Sequence, residues 1–402
     1  MSAMSTGGLA AGRLARLAAV MEGHVEQGGV VGLAWAVARR GEAHRGAAGR
    51  LEVDGRPVQV DSIFRIASMT KPVVAAAALV LVEECRLHLD EPVDRWLPEL
   101  ADRRVLTHPG AALDDTVPAR RPISLRDLLT SRMGIGWDFA VEGPQQVMAA
   151  AAELELGSGP PAPAGPPEPD EWIQRLGTLP LAHQPGERWL YHTSSEVLGV
   201  LVARAVGQRL GAMLVDRFFG PLGMSDTGFA VSEESLDRFG SAYATDPATG
   251  ERTLHDPADG QWSRPPAFPS GGGGLVSMID DYLSFAQMLA ADGRCGEGRV
   301  LSRPSVMAMT TNQLTTEQMA ASSPSPDGRL GWGFGVGVQV APTGPTRSIG
   351  SYGWDGGLGS SWINDPAEDL VGILLTNQAF SSPVPPPVVE DFWTGVYASI
   401  DD

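Results

Sequence analysis

Lysine is almost missing from this chain of 402 residues. Lys71 is the only one, and the other 29 of the 30 Lys and Arg residues are arginines. The abundance of Ala, Gly, Pro and Arg points to GC-rich coding, which by itself favours arginine. A single lysine that persists against that bias marks a position where a guanidinium will not serve. Arginine does not give up its proton in a protein, whereas a buried lysine does. Lys71 is therefore a candidate base.

Other scarcities exclude whole classes of protein. There are two cysteines, Cys85 and Cys295, so no disulfide framework exists. Cys85 closes an apolar run and reads as a packed small hydrophobe. The seven histidines follow no metal-ligand spacing, so no metal and no cofactor are expected. A net charge of −18 argues against nucleic acid as a partner. No apolar run approaches the length of a membrane span. The N-terminal stretch reads as an amphipathic helix over Gly12–Glu26 rather than a signal peptide. A cytoplasmic location and no membrane partner are expected. No Gly-x-Ser-x-Gly occurs, so a nucleophile elbow is not supported.

What is present centres on Phe64–Glu83. Ser68 lies three residues before Lys71, one helical turn away on the same face. Val73–Val82 is apolar throughout, which describes a helix buried on all sides. Pro72 fits only a first turn, so the helix should start close to Ser68. A serine at the positive end of a buried helix, with a lysine one turn in, is suited to nucleophilic catalysis. Ser-x-x-Lys alone is weak evidence, since chance gives it roughly once in fifteen at ordinary serine usage.

Along the chain, Val30–Val37 and Glu42–Ala47 read as a hairpin turned at Arg40-Gly41. Ile63–Ile66 reads as a short strand, and Ser124 as the N-cap of a short helix. Gly136–Glu171 looks like an insertion whose segment from Gly157 to Pro169 is too proline-rich for regular structure. It is either a lid or a disordered surface loop, and Trp137 and Phe139 at its entrance either line a cleft or pack. Ser194 or Ser195 can cap the next helix. The Gly271–Gly274 run either links flexibly or lets the backbone pass close to something. Ser277 with Asp280 resembles a capping box, and Ser302 starts another helix. Strands are expected at Gly333–Val340, Arg347–Tyr352, Gly359–Asn364 and Leu370–Thr376, then a helix over Pro386–Ala398. This arrangement predicts an α+β fold. Its antiparallel sheet is built from the N- and C-terminal segments (1–66 plus 265–402). A mostly helical lobe (67–264) is inserted between them, with its Pro-rich insertion near 140–170.

Three motifs in order make the chain recognisable: Ser68-Met-Thr-Lys71, Tyr191-His-Thr193 and Trp354-Asp-Gly356. With Leu125–Thr130, Pro185–Trp189, Pro221–Met224 and Gly272–Ser277, they resemble the serine β-lactamase-like enzymes. That superfamily spans penicillin-binding proteins, class C β-lactamases and family VIII carboxylesterases, and the resemblance is closest to the last. It covers about residues 15 to 395. It implies Ser68 as nucleophile and Lys71 with Tyr191 sharing the general-base role, without saying which accepts the proton. It implies an oxyanion hole from the backbone N–H groups of Ser68 and Gly357, with Gly356 allowing close approach of the strand.

Two departures bear on the substrate. Trp354 stands where penicillin-recognising relatives usually carry Lys or His, which removes a cation that would hold a substrate carboxylate. Thr193 stands where the family usually has an Asn that grips the lysine and a substrate amide. Trp354, Gly356, Thr193, Trp137 and Phe139 are the expected substrate-binding residues, and the expected substrate is a small uncharged ester or acyl compound. The leading expectation is a carboxylesterase working through an acyl-enzyme. Alternatives are a transacylase or thioesterase-like enzyme, a β-lactamase, DD-peptidase or D-aminopeptidase, and a catalytically dead sensor or scaffold.

Overall fold

The computed structural model describes residues 6–402 except Ser158, Pro247, Ser323 and Pro326. A hairpin near the N-terminus supplies β1 (Gly32–Arg39) and β2 (Glu42–Gly49). Its two-residue turn puts both Arg40 and Gly41 at positive φ, which matches the twist of the strands it joins. The C-terminal part supplies β3 (Leu330–Trp332), β4 (Gly337–Gln339), β5 (Tyr352–Gly356), β6 (Ser360–Asp365) and β7 (Leu370–Thr376). These seven strands form one sheet in the order β3-β4-β5-β6-β7-β1-β2, antiparallel throughout.

The alternation along β1 shows how the layers form. Leu33, Trp35 and Val37 point to one face, where they join the terminal helices Ala11–Glu26 and Pro387–Ala398. Ala34, Ala36 and Ala38 point to the other, into the main core; this is the two-residue period of a strand buried on both faces. The small alanines let the helix Ile279–Ala290 pack on the inner face. The central helix Thr70–Glu83 lies deeper, against the helix Thr193–Val206, and is buried from Thr70 to Leu81. No single helix among the described residues is long and apolar enough to cross a membrane. The protein has the α+β, β-lactamase/transpeptidase-like architecture.

Several local expectations are corrected. The stretch Gly333–Val340 is not one strand, because Gly335 turns at φ 73° and the Gly333 N–H closes on the Val336 carbonyl. The next strand begins at Tyr352, where Arg347–Tyr352 was expected, so the third motif itself is strand. Trp354 forms a cross-strand pair with Trp362 there. Ser194 and Ser195 are not caps: His192 takes φ 81° and the helix starts at Thr193. Ser277 is in a short strand pairing with Phe64, and its hydroxyl bonds Thr227, so it forms no capping box. Cys85 is exposed, because the chain leaves the helix there through a residue at φ 56°.

Candidate active site

The turn that carries Ser68 is fixed from three sides. Preceding it, the strand Phe64–Arg65 pairs with Val276–Ser277, and the buried Arg65 is paired with the buried Asp256. Arg65 also lies over the rings of Phe239 and Trp262. Ala67 then adopts φ 43°, unusual for a residue with a Cβ and typical of positions held by their surroundings. Ser68 sits in the single 3-10 turn Ala67–Met69 ahead of the central helix. Below it, the Leu275 N–H donates to Thr70 Oγ1 at 3.0 Å and the Tyr282 hydroxyl donates to the Met69 carbonyl at 3.0 Å. From the sheet, the Ser360 hydroxyl donates to the Ile66 carbonyl at 2.9 Å.

Lys71 and Tyr191 meet at Ser68. Lys71 Nζ donates to Ser68 Oγ at 2.9 Å, and the Tyr191 hydroxyl donates to the same oxygen at 2.7 Å. The lysine is 1% exposed. Its Nζ lies 4.4 Å from the centre of the tyrosine ring, within cation–π range. It also donates to the Gly272 carbonyl at 2.6 Å, so the glycine run does pass close to something, the lysine itself. A Cβ on Gly272 would lie 2.7 Å from Glu196 Oε1.

The other expected residues divide. Trp354 Nε1 donates to the Tyr191 hydroxyl at 2.7 Å. Gly357 borders, with Ser68, Tyr191, Phe139 and Trp354, a cavity of about 830 Å³. The N–H groups of Ser68 and Gly357 are not engaged by other groups among the described residues. Gly356 lies beneath, where a Cβ would come 2.3 Å from the Ile66 carbonyl oxygen. Phe139 contributes its ring to the wall, 5.1 Å from that of Tyr191. Trp137 instead bonds the Tyr191 backbone in both directions, at 3.0 and 2.7 Å, and does not border the cavity. Thr193 is in the first turn of its helix and makes no side-chain hydrogen bond to Lys71.

The residue that reaches the lysine from the second motif is His192. Its Nδ1 is 3.4 Å from Lys71 Nζ, and its Nε2 is 3.0 Å from Glu196 Oε1. Glu196 also accepts from the Ser270 hydroxyl at 2.6 Å and the Gly272 N–H at 3.2 Å. Burial alone would push this carboxyl up; the bonds from His192 and Ser270 and the charge of Lys71 hold it below the usual carboxylate range. Sequence reasoning missed both residues. The available signal was a histidine inside the second motif with a glutamate four residues on, one helical turn away. Trp189 and Trp332, buried and stacked edge-on at 5.5 Å behind Tyr191, were also missed.

The Pro-rich segment is not a remote loop. A Cβ on Gly273 would lie 2.7 Å from Pro161, and Pro161, Pro163 and Pro166 border a small cleft with His192 and Glu196. Among the described residues no group of three or more His, Cys, Asp or Glu is placed to hold a metal ion.

Two donors converging on one serine oxygen, beside an antiparallel sheet, is the arrangement of serine enzymes with the β-lactamase/transpeptidase fold. The chain belongs to the β-lactamase family, whose model matches residues 17–387. Among its relatives, protein Rv1367c of Mycobacterium tuberculosis is 42% identical over 329 residues, 80% of this chain and 79% of that one. Esterase EstB of Burkholderia gladioli is 33% identical over 391 residues, 92% of each chain. The solved structure of EstCE1, described as a hydrolase with promiscuous acyltransferase activity, superposes with a TM-score of 0.79. It is 25% identical, and the match covers 96% of this chain and 99% of that one. Family and relatives together support a serine hydrolase or acyl-transfer activity.

Proposed function

We propose that the protein hydrolyses small uncharged carboxylic esters through an acyl-enzyme on Ser68. One observation carries the choice of substrate: the third motif presents Trp354, whose N–H is spent on the Tyr191 hydroxyl. That position supplies a neutral donor to the tyrosine and no fixed positive charge for a substrate carboxylate. The cavity is lined by the apolar and aromatic Phe139, Trp354, Val384, Val389 and Trp393, and its charged lining residues, Arg329 and Arg347 with Asp327, Asp355 and Glu390, are of both signs. Such lining suits an uncharged acyl or alkyl group.

In this reading the Ser68 oxygen attacks the ester carbonyl as its proton leaves for Lys71 in its neutral amine form or for Tyr191 in its phenolate form, both within hydrogen-bond reach. Negative charge on the carbonyl oxygen is met by the N–H groups of Ser68 and Gly357. The Trp354 N–H stabilises the phenolate form of Tyr191. The proton then passes to the departing alkoxide, and water repeats the sequence in reverse to free the acid.

A second reading, acyl transfer to an alcohol, is favoured by the size of the cavity. At about 830 Å³ it lies near the upper end of small-molecule sites, with room for an acceptor beside the acyl group. The esterase name of one relative and the acyltransferase activity named for another fit the two readings in turn. The test is turnover of short-chain p-nitrophenyl esters beside a β-lactam and a D-amino-acid amide, with and without an added alcohol. Ester cleavage with little β-lactam turnover is expected. Preferential opening of the β-lactam would overturn the reading of Trp354.

A further inference from the structure

We propose that His192, oriented by Glu196, is a positioning residue for Lys71 that fixes its proton-accepting direction and takes up its surplus proton. The inference rests on the acyl-enzyme reading above and extends it to residues outside the Ser-Lys-Tyr set.

The argument is a count of donors and acceptors. Glu196 as a carboxylate only accepts, so the His192 Nε2 at 3.0 Å carries the ring proton. Nδ1 is then left with its lone pair toward Lys71 Nζ, 3.4 Å away. A neutral amine has two N–H groups and one lone pair. The Gly272 carbonyl at 2.6 Å and His192 Nδ1 take the two N–H groups. With both N–H groups so engaged, the lone pair is the group left for Ser68 Oγ, 2.9 Å away, the contact in which the ammonium form donates. Without the imidazole, one N–H is free to turn toward the serine and the lone pair away from it.

The same contact disposes of the lysine's extra proton. If Lys71 starts as an ammonium, an N–H bond on Nζ breaks and one forms on Nδ1. The products are a neutral amine and an imidazolium beside the Glu196 carboxylate, with no change in total charge. Lys71 is then ready to accept the Ser68 proton as the oxygen–carbon bond forms, and to return it to the leaving alkoxide.

The surroundings suit this role. His192 is held at φ 81°, a conformation that costs energy in a non-glycine residue. The charged and titratable groups facing its ring are Lys71 from the central helix, Glu196 from its own helix, and Tyr191, whose ring lies 6.1 Å away. The glycine run contributes Ser270 and Gly272. Leu156 and, from the Pro-rich segment, Pro161 and Pro166, none charged, line a small cleft with the pair.

The experiment measures kcat/KM for a short-chain p-nitrophenyl ester, and the rate at which a fluorophosphonate labels Ser68, from pH 5 to 10. It compares wild type, Glu196→Gln and His192→Asn. Glu196→Gln keeps size and an acceptor for His192 and Ser270, gives up the bond from the Gly272 N–H, and removes the charge that supports an imidazolium. Its kcat/KM near neutral pH should fall about 10- to 100-fold, as for other partners that orient a reacting group. The fall should lie in kcat, and the acid limb should move up by about 1 to 3 pH units, with activity recovering at high pH. His192→Asn keeps an acceptor for Lys71 without the ability to take a proton, so it should show the same upward movement of the limb. An unchanged limb in both variants, whether activity falls uniformly or not at all, would overturn the proposal. Failure of the wild type to label at Ser68 would instead overturn the acyl-enzyme reading beneath it.

Discussion

The indole N–H of Trp354 donates to the Tyr191 hydroxyl at 2.7 Å, and that hydroxyl lies 2.7 Å from Ser68 Oγ. A residue that looks like a lost cation in the sequence is therefore a working donor in the structure. Its ring is held by Trp332, which meets it edge-on at 4.7 Å, so the N–H has one direction to point.

Trp354→Phe keeps the ring and removes that donor. A hydrogen bond to a charged group, here the phenolate form of Tyr191, is worth about 1.5–3 kcal/mol, so kcat for ester hydrolysis should fall about 10- to 100-fold with KM little changed. Steady-state kinetics on a p-nitrophenyl ester decides it; an equal loss in binding and turnover would mean that Trp354 acts mainly as a wall.

Much of this site was legible in the sequence, for definite reasons. Ser68 and Lys71 are three residues apart at the head of a continuous apolar helix, Ser68 in the 3-10 turn that leads into it, so local spacing alone puts them together. The α+β architecture followed from strands at both ends and helices between. His192 was hidden because the expected contact to Lys71 belongs to the third position of its motif, and a positive φ at His192 redirects the chain. The same backbone turn defeated Ser194 and Ser195 as caps. The strand at Tyr352–Gly356 was misplaced because its glycines and aspartate read as turn, while the pairing of Trp354 with Trp362 holds it in the sheet. Burial of Glu196 beneath the glycine run is a long-range fact that no local pattern carries.

Tyr191→Phe and Lys71→Arg separate the two neighbours of the serine. The first removes a hydroxyl and keeps the ring on which the Lys71 cation rests; the second keeps positive charge and removes the ability to deprotonate. Each should lower kcat about 10²- to 10⁴-fold, the range for general acid–base groups, while thermal stability of Tyr191→Phe stays close to wild type. Near-normal turnover in Lys71→Arg would refute a base role for the lysine.

Gly356 and Gly357 make a paired test of close approach. A Cβ at 356 would sit 2.2 Å from Ser360 Oγ and 2.3 Å from the Ile66 carbonyl oxygen, whereas nothing lies within 4 Å of one at 357. Gly356→Ala should cost about 1–3 kcal/mol of stability through overpacking and displace the Ser68 turn. Gly357→Ala should leave the melting temperature unchanged. Calorimetry on both variants checks this, and equal stability of the two would contradict the reported packing.

Asp281 sets a pH dependence through a group that does not line the serine cavity. Burial pushes its carboxyl up to about 6, against bonds from the Thr227 hydroxyl and the Asp226 N–H that favour the ionised form. The folded state thus holds this proton more tightly than the unfolded chain, where the value is 3.8. Its stabilising share is complete below the unfolded value and is lost as pH rises through about 6. Relative to Asp281→Asn, the wild type should lose melting temperature between pH 4 and pH 6.5 and run parallel above that. Parallel curves throughout would show that Asp281 does not titrate in this window.

The most direct test of the site is peptide mass spectrometry after a brief reaction with an uncharged p-nitrophenyl ester, quenched in acid. The acyl mass should appear on the peptide that carries Ser68, and be absent in Ser68→Ala. An acyl group on any other residue, or a wild type that turns over the ester without acylating Ser68, would contradict the assignment of Ser68 as the nucleophile.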